Sequence, residues 1–549
     1  PVSTLVEMLK VASHQLLVDD FASYDAFKRH LSISFPCCGS ILDPINGILD
    51  DWWINSSTDS LQRAYQWLLF ISRINLSGLP QLEVAALDKY LLIEQNIQED
   101  GFTLEEVDVL KNWFPRSAEN DWFFSTNHAP QHGPGSTCDA GICLASKYEC
   151  LGPDPRISVL CSRVYGNQQP YPRVPTMCTL RTSQTIFVPK SAGSYRTISM
   201  EPSVLMWHQK GVRHALLSFF RERKHYISRR FKPDDQEPNR HLAWLGSIDG
   251  TFSTIDLSSA SDTVSWSLVK QWFRNTCLYP WLLLTRSTST RLPDGTVIRM
   301  KKFAPSGSDL CFPVETIVFA AIVECSIRSM GDDPTLSEYR IYGDDIVVED
   351  RYFDAVMQRL AANGFLPNME KSFGNRQPRG FFRESCGGFY YNGVDLTPVR
   401  LSRRFTGYDV AKGDRPERIE SLVELANDCN SHLPSVRRWC ILQLNKMPQH
   451  LRVPFSPDGE FGLFSTQPTN FHLRSKYSLR YQCDMYSYGN TKLPHSDRRA
   501  EDEDIRFFEY LRLTQHRERL TWPEDRVDVN VSPVKRPAWL PKRAPLYLA

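Results

Sequence analysis

The sequence is poor in the features that mark several protein classes. No CxxC pair occurs among its 14 cysteines, and 14 thiols in 549 residues are too few for a disulfide scaffold. No apolar run approaches the roughly 18 residues of a membrane span. The longest, such as residues 281–284 and 318–323, are core-sized. The first residues lack a basic stretch leading into an apolar one, so no signal peptide is expected and a cytoplasmic location is the default. No internal repeat stands out. A phosphate-binding P-loop, a nucleophile elbow and an HExxH motif are all absent, so the hydrolase classes that depend on them lack support. Net charge is nearly absent too: +1, from 64 Lys+Arg against 63 Asp+Glu. That excludes a uniformly basic protein coating a polyanion, and equally a uniformly acidic one.

What is present fits a folded enzyme-sized chain. At 41% hydrophobic and 23% charged it is neither disordered nor fibrous. Its 549 residues allow about three domains or one multi-lobed molecule. The charge is segregated. Residues 1–120 hold 8 Lys/Arg against 17 Asp/Glu, a net of −9, and residues 181–240 hold 12 against 5, a net of +7. A polyanion partner for the middle and ordinary solvated faces both explain this asymmetry. His128, His132, Cys138 and Cys143 fall in one Gly/Pro-containing loop, but their spacing fits no common zinc module; reduced thiols are the plainer reading.

Periodicity predicts helices over 60–74 and 82–97, and a helix with a basic second half over 205–224. Residues 120–180 read as irregular, and 185–190 as a short strand. Residues 253–258 form a β-like run ending in small polar residues, and 315–330 a buried helix. Residues 338–350 read as two strands around a Gly-Asp-Asp turn, and 351–364 as an amphipathic helix ending at Gly364. Residues 381–401 read as two strands around a tight Asn-Gly turn. Residues 401–520 look partly helical, and the last 29 residues, with five prolines, look like an extended tail.

The strongest chemical signal is Asp256 with Asp344 and Asp345. If their strands are neighbours, three carboxylates meet at one sheet edge. Like charges there repel and raise one another's pKa. Divalent cations with a taste for hard oxygen ligands, Mg²⁺ or Mn²⁺, remove that penalty. Two such ions can activate an attacking oxygen and stabilise a leaving one in phosphoryl transfer. Gly331-Asp332-Asp333 repeats the tripeptide without flanking strands and reads as a plain loop after a helix.

The runs IDLSSASD (255–262), YGDD (342–345), and FRESCGG with YNGVDLTP (382–398) resemble motifs of the replicase catalytic subunit of the single-stranded RNA bacteriophages, the leviviruses. The resemblance runs from about 181 to 401. It implies an RNA-directed RNA polymerase: an α+β right-hand fold with fingers, a palm built as a small antiparallel sheet on helices, and a thumb. Residues 1–245 would supply the N-terminal region and fingers, 246–400 the palm, and 401–549 the thumb-like region and tail. Asp256, Asp344 and Asp345 would be the catalytic, Mg²⁺-binding aspartates, two ions in all. Asp262 would lie by the nucleotide ribose. Lys190 and Arg196 would face the incoming triphosphate, and Lys371 would protonate the pyrophosphate leaving group. Gly307 and Ser308 stand in a Gly-rich loop that would meet the nucleotide, with Ser308 able to bond a 2′-hydroxyl. Arg383 to Cys386 would form a hairpin gripping the 3′ end of the product. Ser258, Ser259 and Ser261 read as helix caps. The resemblance also implies a single-stranded RNA template, ribonucleoside triphosphates, the host elongation factors Tu and Ts and a ribosomal protein as partners, no membrane, and action in the cytoplasm of the infected bacterium.

Two other readings stay open on the residues alone. A reverse transcriptase or metal-dependent nuclease would keep the metals and change the chemistry. A non-catalytic RNA-binding protein would use the basic segment and leave the aspartates unexplained.

Overall fold

The computed structural model describes residues 2–18, 21, 23–36, 41–72, 80–151, 157, 180–191, 193–375, 380–401, 416–446, 453–456, 462–466, 474–478, 483–488 and 538–541. The chain divides into two units. One comprises Pro1–Gly39 and Asn75–Thr397, the other Ser40–Ile74 and Pro398–Ala549.

The first unit is organised around the helix Cys311–Ser329. Its Val314, Ile317, Val318, Phe319, Ala321, Ile322 and Val323 are all buried, covering every side of the helix. A helix apolar all round belongs in an interior, and this one packs against the helices Glu105–Trp113 and Phe353–Ala362. It also meets a three-stranded antiparallel sheet. The strands are β3 (Phe252–Ile255), β6 (Tyr339–Tyr342) and β7 (Asp345–Glu349), in the order β3-β7-β6. The central strand carries Ile346, Val347 and Val348 in a row, all fully buried. An unbroken apolar run suits a strand covered on both faces, and the helix Glu237–Asp249 packs on all three strands. This is an α+β arrangement with a small antiparallel sheet on helices, as expected.

β1 (Thr182–Ser191) and β2 (Ser194–Met200) form an antiparallel hairpin, with Val188 opposite Arg196. Two short strands, β4 (Ser289–Arg291) and β5 (Val297–Arg299), extend it in the order β2-β1-β4-β5. The helix Ser203–Glu222 follows the hairpin. The 381–401 region holds three strands rather than two: β8 (Phe382–Ser385), β9 (Gly388–Tyr391) and β10 (Val394–Asp395). The Asn392-Gly393 turn joins the second pair, and Cys386-Gly387 makes the first turn, with positive φ at both residues. Cys386 gave no turn signal because only the tertiary contacts described below hold it in that conformation.

In the second unit, the helices Pro416–Asp428 and Pro434–Asn445 bury Leu422, Val423, Ala426, Cys440 and Leu444 with Val453 and Leu463. Gln66 and Phe70 accept the Val399 and Leu401 amides at 2.8 and 2.9 Å, tying the two stretches of this unit together. Residues 538–541, read as tail, form a strand paired with Cys483–Tyr488. The rest of the expected tail lies outside the described residues.

Candidate active site

The pairing of β3 with β7 builds the site. Ile255 lies opposite Ile346, so the next residue on one strand, Asp256, meets the preceding one on the other, Asp345. Asp344 immediately precedes Asp345, in the two-residue turn that joins β6 to β7. The turn needs Gly343, at φ +63°; a Cβ there would come 2.8 Å from the Phe312 ring. The Gly343 amide donates to Thr316 Oγ1 at 3.0 Å, docking the turn on the buried helix. Gly331, in the second Gly-Asp-Asp, only ends a helix, and Asp333 there caps Thr335.

Each aspartate has its own supports. Asn368 Nδ2 donates to Asp256 Oδ2 at 3.2 Å, and the Asp256 amide donates to Ser372 Oγ at 3.1 Å. Lys371 Nζ stands 3.9 Å from Asp256 Oδ2 and is otherwise exposed. The Cys386 amide donates to Asp345 Oδ1 at 3.1 Å, so the β8–β9 turn braces the site. Burial, followed by the charges of Asp344 and Asp256, pushes Asp345 up to about 7; the Cys386 amide works the other way. Asp256 is raised as well, first by burial and also by Asp344, against Lys371 and Lys190. Mutual repulsion of this kind is what a divalent cation relieves, and the donors are hard oxygens. Among the described residues, no three His, Cys, Asp or Glu side chains are set round one point to hold an ion as they stand.

Lys190 and Arg196 lie on the β1–β2 hairpin. Lys190 is within electrostatic reach of Asp344 and Asp256; desolvation, Arg196 and Lys371 together lower its pKa. Asp262 lies on the short helix Ala260–Thr263 beyond β3, with Lys302 Nζ 3.0 Å from its Oδ1. Gly307, at φ +111°, has no room for a Cβ against the Ser199 carbonyl, and Ser199 donates its amide to Ser306 at 2.8 Å. The Gly-rich loop is therefore laid on β2.

Ser308 departs from expectation. Its hydroxyl is buried and donates to Gln209 Oε1 at 3.0 Å, because the loop folds back on the helix Ser203–Glu222. It is turned into protein rather than toward a sugar. The serine caps are corrected too: Ser259 adopts φ +56° and caps nothing with its side chain, while Ser261 Oγ pairs with Ser306 Oγ at 3.2 Å. Arg383 is fully buried and bonds the Phe252 carbonyl and Asn375, so it anchors the hairpin from inside. The His/Cys loop holds no metal cluster among the described residues. His128 pairs with His208 at 3.1 Å, His132 packs on Tyr148, and burial lowers both His128 and His132 to about 3.

Sequence reading missed Asn368, Ser372, Thr316, Lys302 and Glu315. Glu315, fully buried, has its pKa raised by burial and then by Asp344 and Asp262. All five lie far in sequence from the groups they meet, and none carries a signal of its role in its own side chain.

Comparison with known proteins bears on the same stretch. Residues 157–409 match the family model described as RNA replicase, beta-chain. This central segment resembles the RNA replicase beta-chain family. The chain is 38% identical over 216 residues to the RNA-directed RNA polymerase beta chain of Escherichia phage MS2, covering 39% of this chain and 37% of that protein. It is 33% identical over 229 residues to the RNA-directed RNA polymerase subunit beta of Escherichia virus Qbeta, covering 40% of this chain and 36% of that protein. The chain thus spans under two-fifths of the length of these relatives in the matched region. Among solved structures, the RNA-dependent RNA polymerase of a human picorbirnavirus superposes with a TM-score of 0.46 at 13% identity, over 74% of this chain and 82% of that one. No helix among the described residues is long and apolar enough to cross a membrane.

Proposed function

We propose that the chain is an RNA-directed RNA polymerase that copies a single-stranded RNA phage genome from ribonucleoside triphosphates. The observation that carries this reading is the β3–β7 register, which sets Asp256 beside Asp345 with Asp344 in the adjoining turn, inside the replicase segment. Residues 1–245 then correspond to the N-terminal region and fingers, 246–400 to the palm, and 401–549 to a thumb-like region and tail. Asp256, Asp344 and Asp345 would hold Mg²⁺, or Mn²⁺ in its place, which when bound neutralises the cluster and assists displacement at phosphorus.

The chain's own side chains account for the rest. Lys190 and Arg196, on one hairpin, neutralise the triphosphate, with the Arg guanidinium suited to bidentate contact. Lys371, already beside Asp256, gives its proton to the departing pyrophosphate. Asp262 contacts the ribose. A nuclease would need the same carboxylates, but the basic hairpin facing them favours a triphosphate substrate. Host elongation factors Tu and Ts and a ribosomal protein are candidate partners in the bacterial cytoplasm, and co-purification from infected cells tests them.

The deciding experiment is incorporation of labelled nucleotide on single-stranded RNA with Mg²⁺, with and without host extract. Asp344→Asn is expected to cut incorporation by on the order of 10³-fold or more while leaving the fold and RNA binding in place. Incorporation unchanged in that variant would sink the polymerase mechanism.

A further inference from the structure

Lys302 is an uncommon residue to find where it is. It is fully buried, and a buried ammonium is costly unless it is paired. The sequence gives no hint of this, since Lys301-Lys302 looks like a surface doublet. The fold explains the placement. Residues 301–303 run antiparallel to Val264–Trp266: the Trp266 amide donates to the Lys301 carbonyl at 2.7 Å, and the Phe303 amide to the Val264 carbonyl at 2.8 Å. That sets the Lys302 side chain against the short helix carrying Asp262.

Three groups compensate its charge. Asp262 Oδ1 lies at 3.0 Å, Glu94 Oε2 at 3.4 Å, and the Tyr90 ring centroid at 3.7 Å. Tyr90 and Glu94 share the helix Pro80–Asn96, and Glu94 also accepts the Lys301 amide. Burial opposes the lysine's charge, but Asp262, Tyr90 and Glu94 outweigh it and leave its pKa raised. The Asp262 side chain stays 18% exposed, and among the described residues its Oδ2 accepts no hydrogen bond. One oxygen is therefore fixed inward and the other left open. Ser308, the other side chain expected to meet the sugar, is already taken by Gln209.

We infer that Lys302, anchored by Glu94 and Tyr90, is the positioning residue that fixes Asp262 so that its free oxygen can read the ribose of the incoming nucleotide. This rests on the polymerase reading above and deepens it. It also gives the helix 80–96, from the acidic N-terminal region, a part in sugar selection. A merely structural ion pair would affect melting and leave the kinetic preference between sugars alone.

The test uses the full chain with single-stranded RNA, comparing each ribonucleoside triphosphate with its 2′-deoxy counterpart. The double variant Glu94→Gln/Lys302→Met removes the buried ammonium together with the buried carboxylate that anchors it, so Glu94 is not left as an unpaired buried charge, while Asp262 keeps its solvent-exposed face. It is expected to raise KM for ribonucleotides roughly tenfold with a smaller change in kcat, and to lower the ribose preference by about the same factor. Lys302→Arg, which keeps a cation, should retain most of the preference. If the double variant does not fold, Glu94→Gln alone loosens the anchor and should raise KM about threefold. Folded variants with unchanged KM and unchanged sugar preference overturn the proposal. Asp262→Asn separates the two readings. If it loses the preference while the Lys302 variants keep it, Lys302 has no positioning role. If it keeps the preference, Asp262 does not read the sugar and the assignment of Lys302 fails with it, the polymerase reading standing on Asp344→Asn alone.

Discussion

At the scale of single residues, Asp345 shows what convergence of carboxylates costs. Its pKa is about 7 in the folded chain, against roughly 3.9 when unfolded. Between those values the folded chain holds more protons at this position, so its contribution to stability falls as pH rises from about 4 to about 7. Asp345→Asn should therefore stabilise the folded chain at pH 8 without divalent ions, by on the order of 1 kcal/mol or more, with a higher melting temperature, and do little at pH 4. A melt at both pH values checks this, and a variant no more stable at pH 8 contradicts it. The three aspartates were legible in the sequence because strand-flanked acids at a turn are uncommon. Asn368, Ser372 and the Cys386 amide, which hold them, were not, because a single Asn or Ser has no pattern until the chain folds around it.

Elements reveal a different kind of information. Helices 203–222 and 311–329 and the strands around Gly343 could be read from periodicity, since each is long or strongly patterned. The course of the Gly-rich loop could not. Gly307 lies on β2, and its missing Cβ is what lets the loop approach the Ser199 carbonyl. Gly307→Ala meets both a left-handed backbone and that carbonyl, so it should destabilise the fold by roughly 1–3 kcal/mol. It should also raise KM for nucleotide by displacing the loop from β2. Thermal melts and steady-state kinetics read the two effects, and an alanine variant matching the parent in both would show that the loop is not held there.

For the molecule as a whole, charge is the instructive case. The +7 of residues 181–240 suggested a surface for a polyanion, yet part of it is spent internally. Arg230 is buried against Glu338, Arg223 pairs with Glu119, and Arg213 lies near Asp234 and Asp309. Lys190 and Arg196 project from the hairpin with no ion pair among the described residues. Replacing both by Ala should weaken binding of triphosphate and RNA, and reduce the dependence of RNA affinity on log salt by up to about two units. Arg230→Ala should instead lower the melting temperature and leave that slope alone. Titrations of binding across a salt series distinguish the two; a slope unchanged in the double variant removes these cations from the interface.

The sequence by itself determined the α+β class, the elements around the site, the three aspartates and the kinship of the central segment. Those are local matters of periodicity, turn chemistry and contiguous motif. Only the tertiary structure decided which cations lack an ion pair among the described residues, that Ser308 faces Gln209, and that Lys302 is buried between Glu94 and Asp262. A buried charge is stable only where distant segments supply its partners. Residues 94, 262 and 302 become one group through packing that no short stretch of sequence encodes.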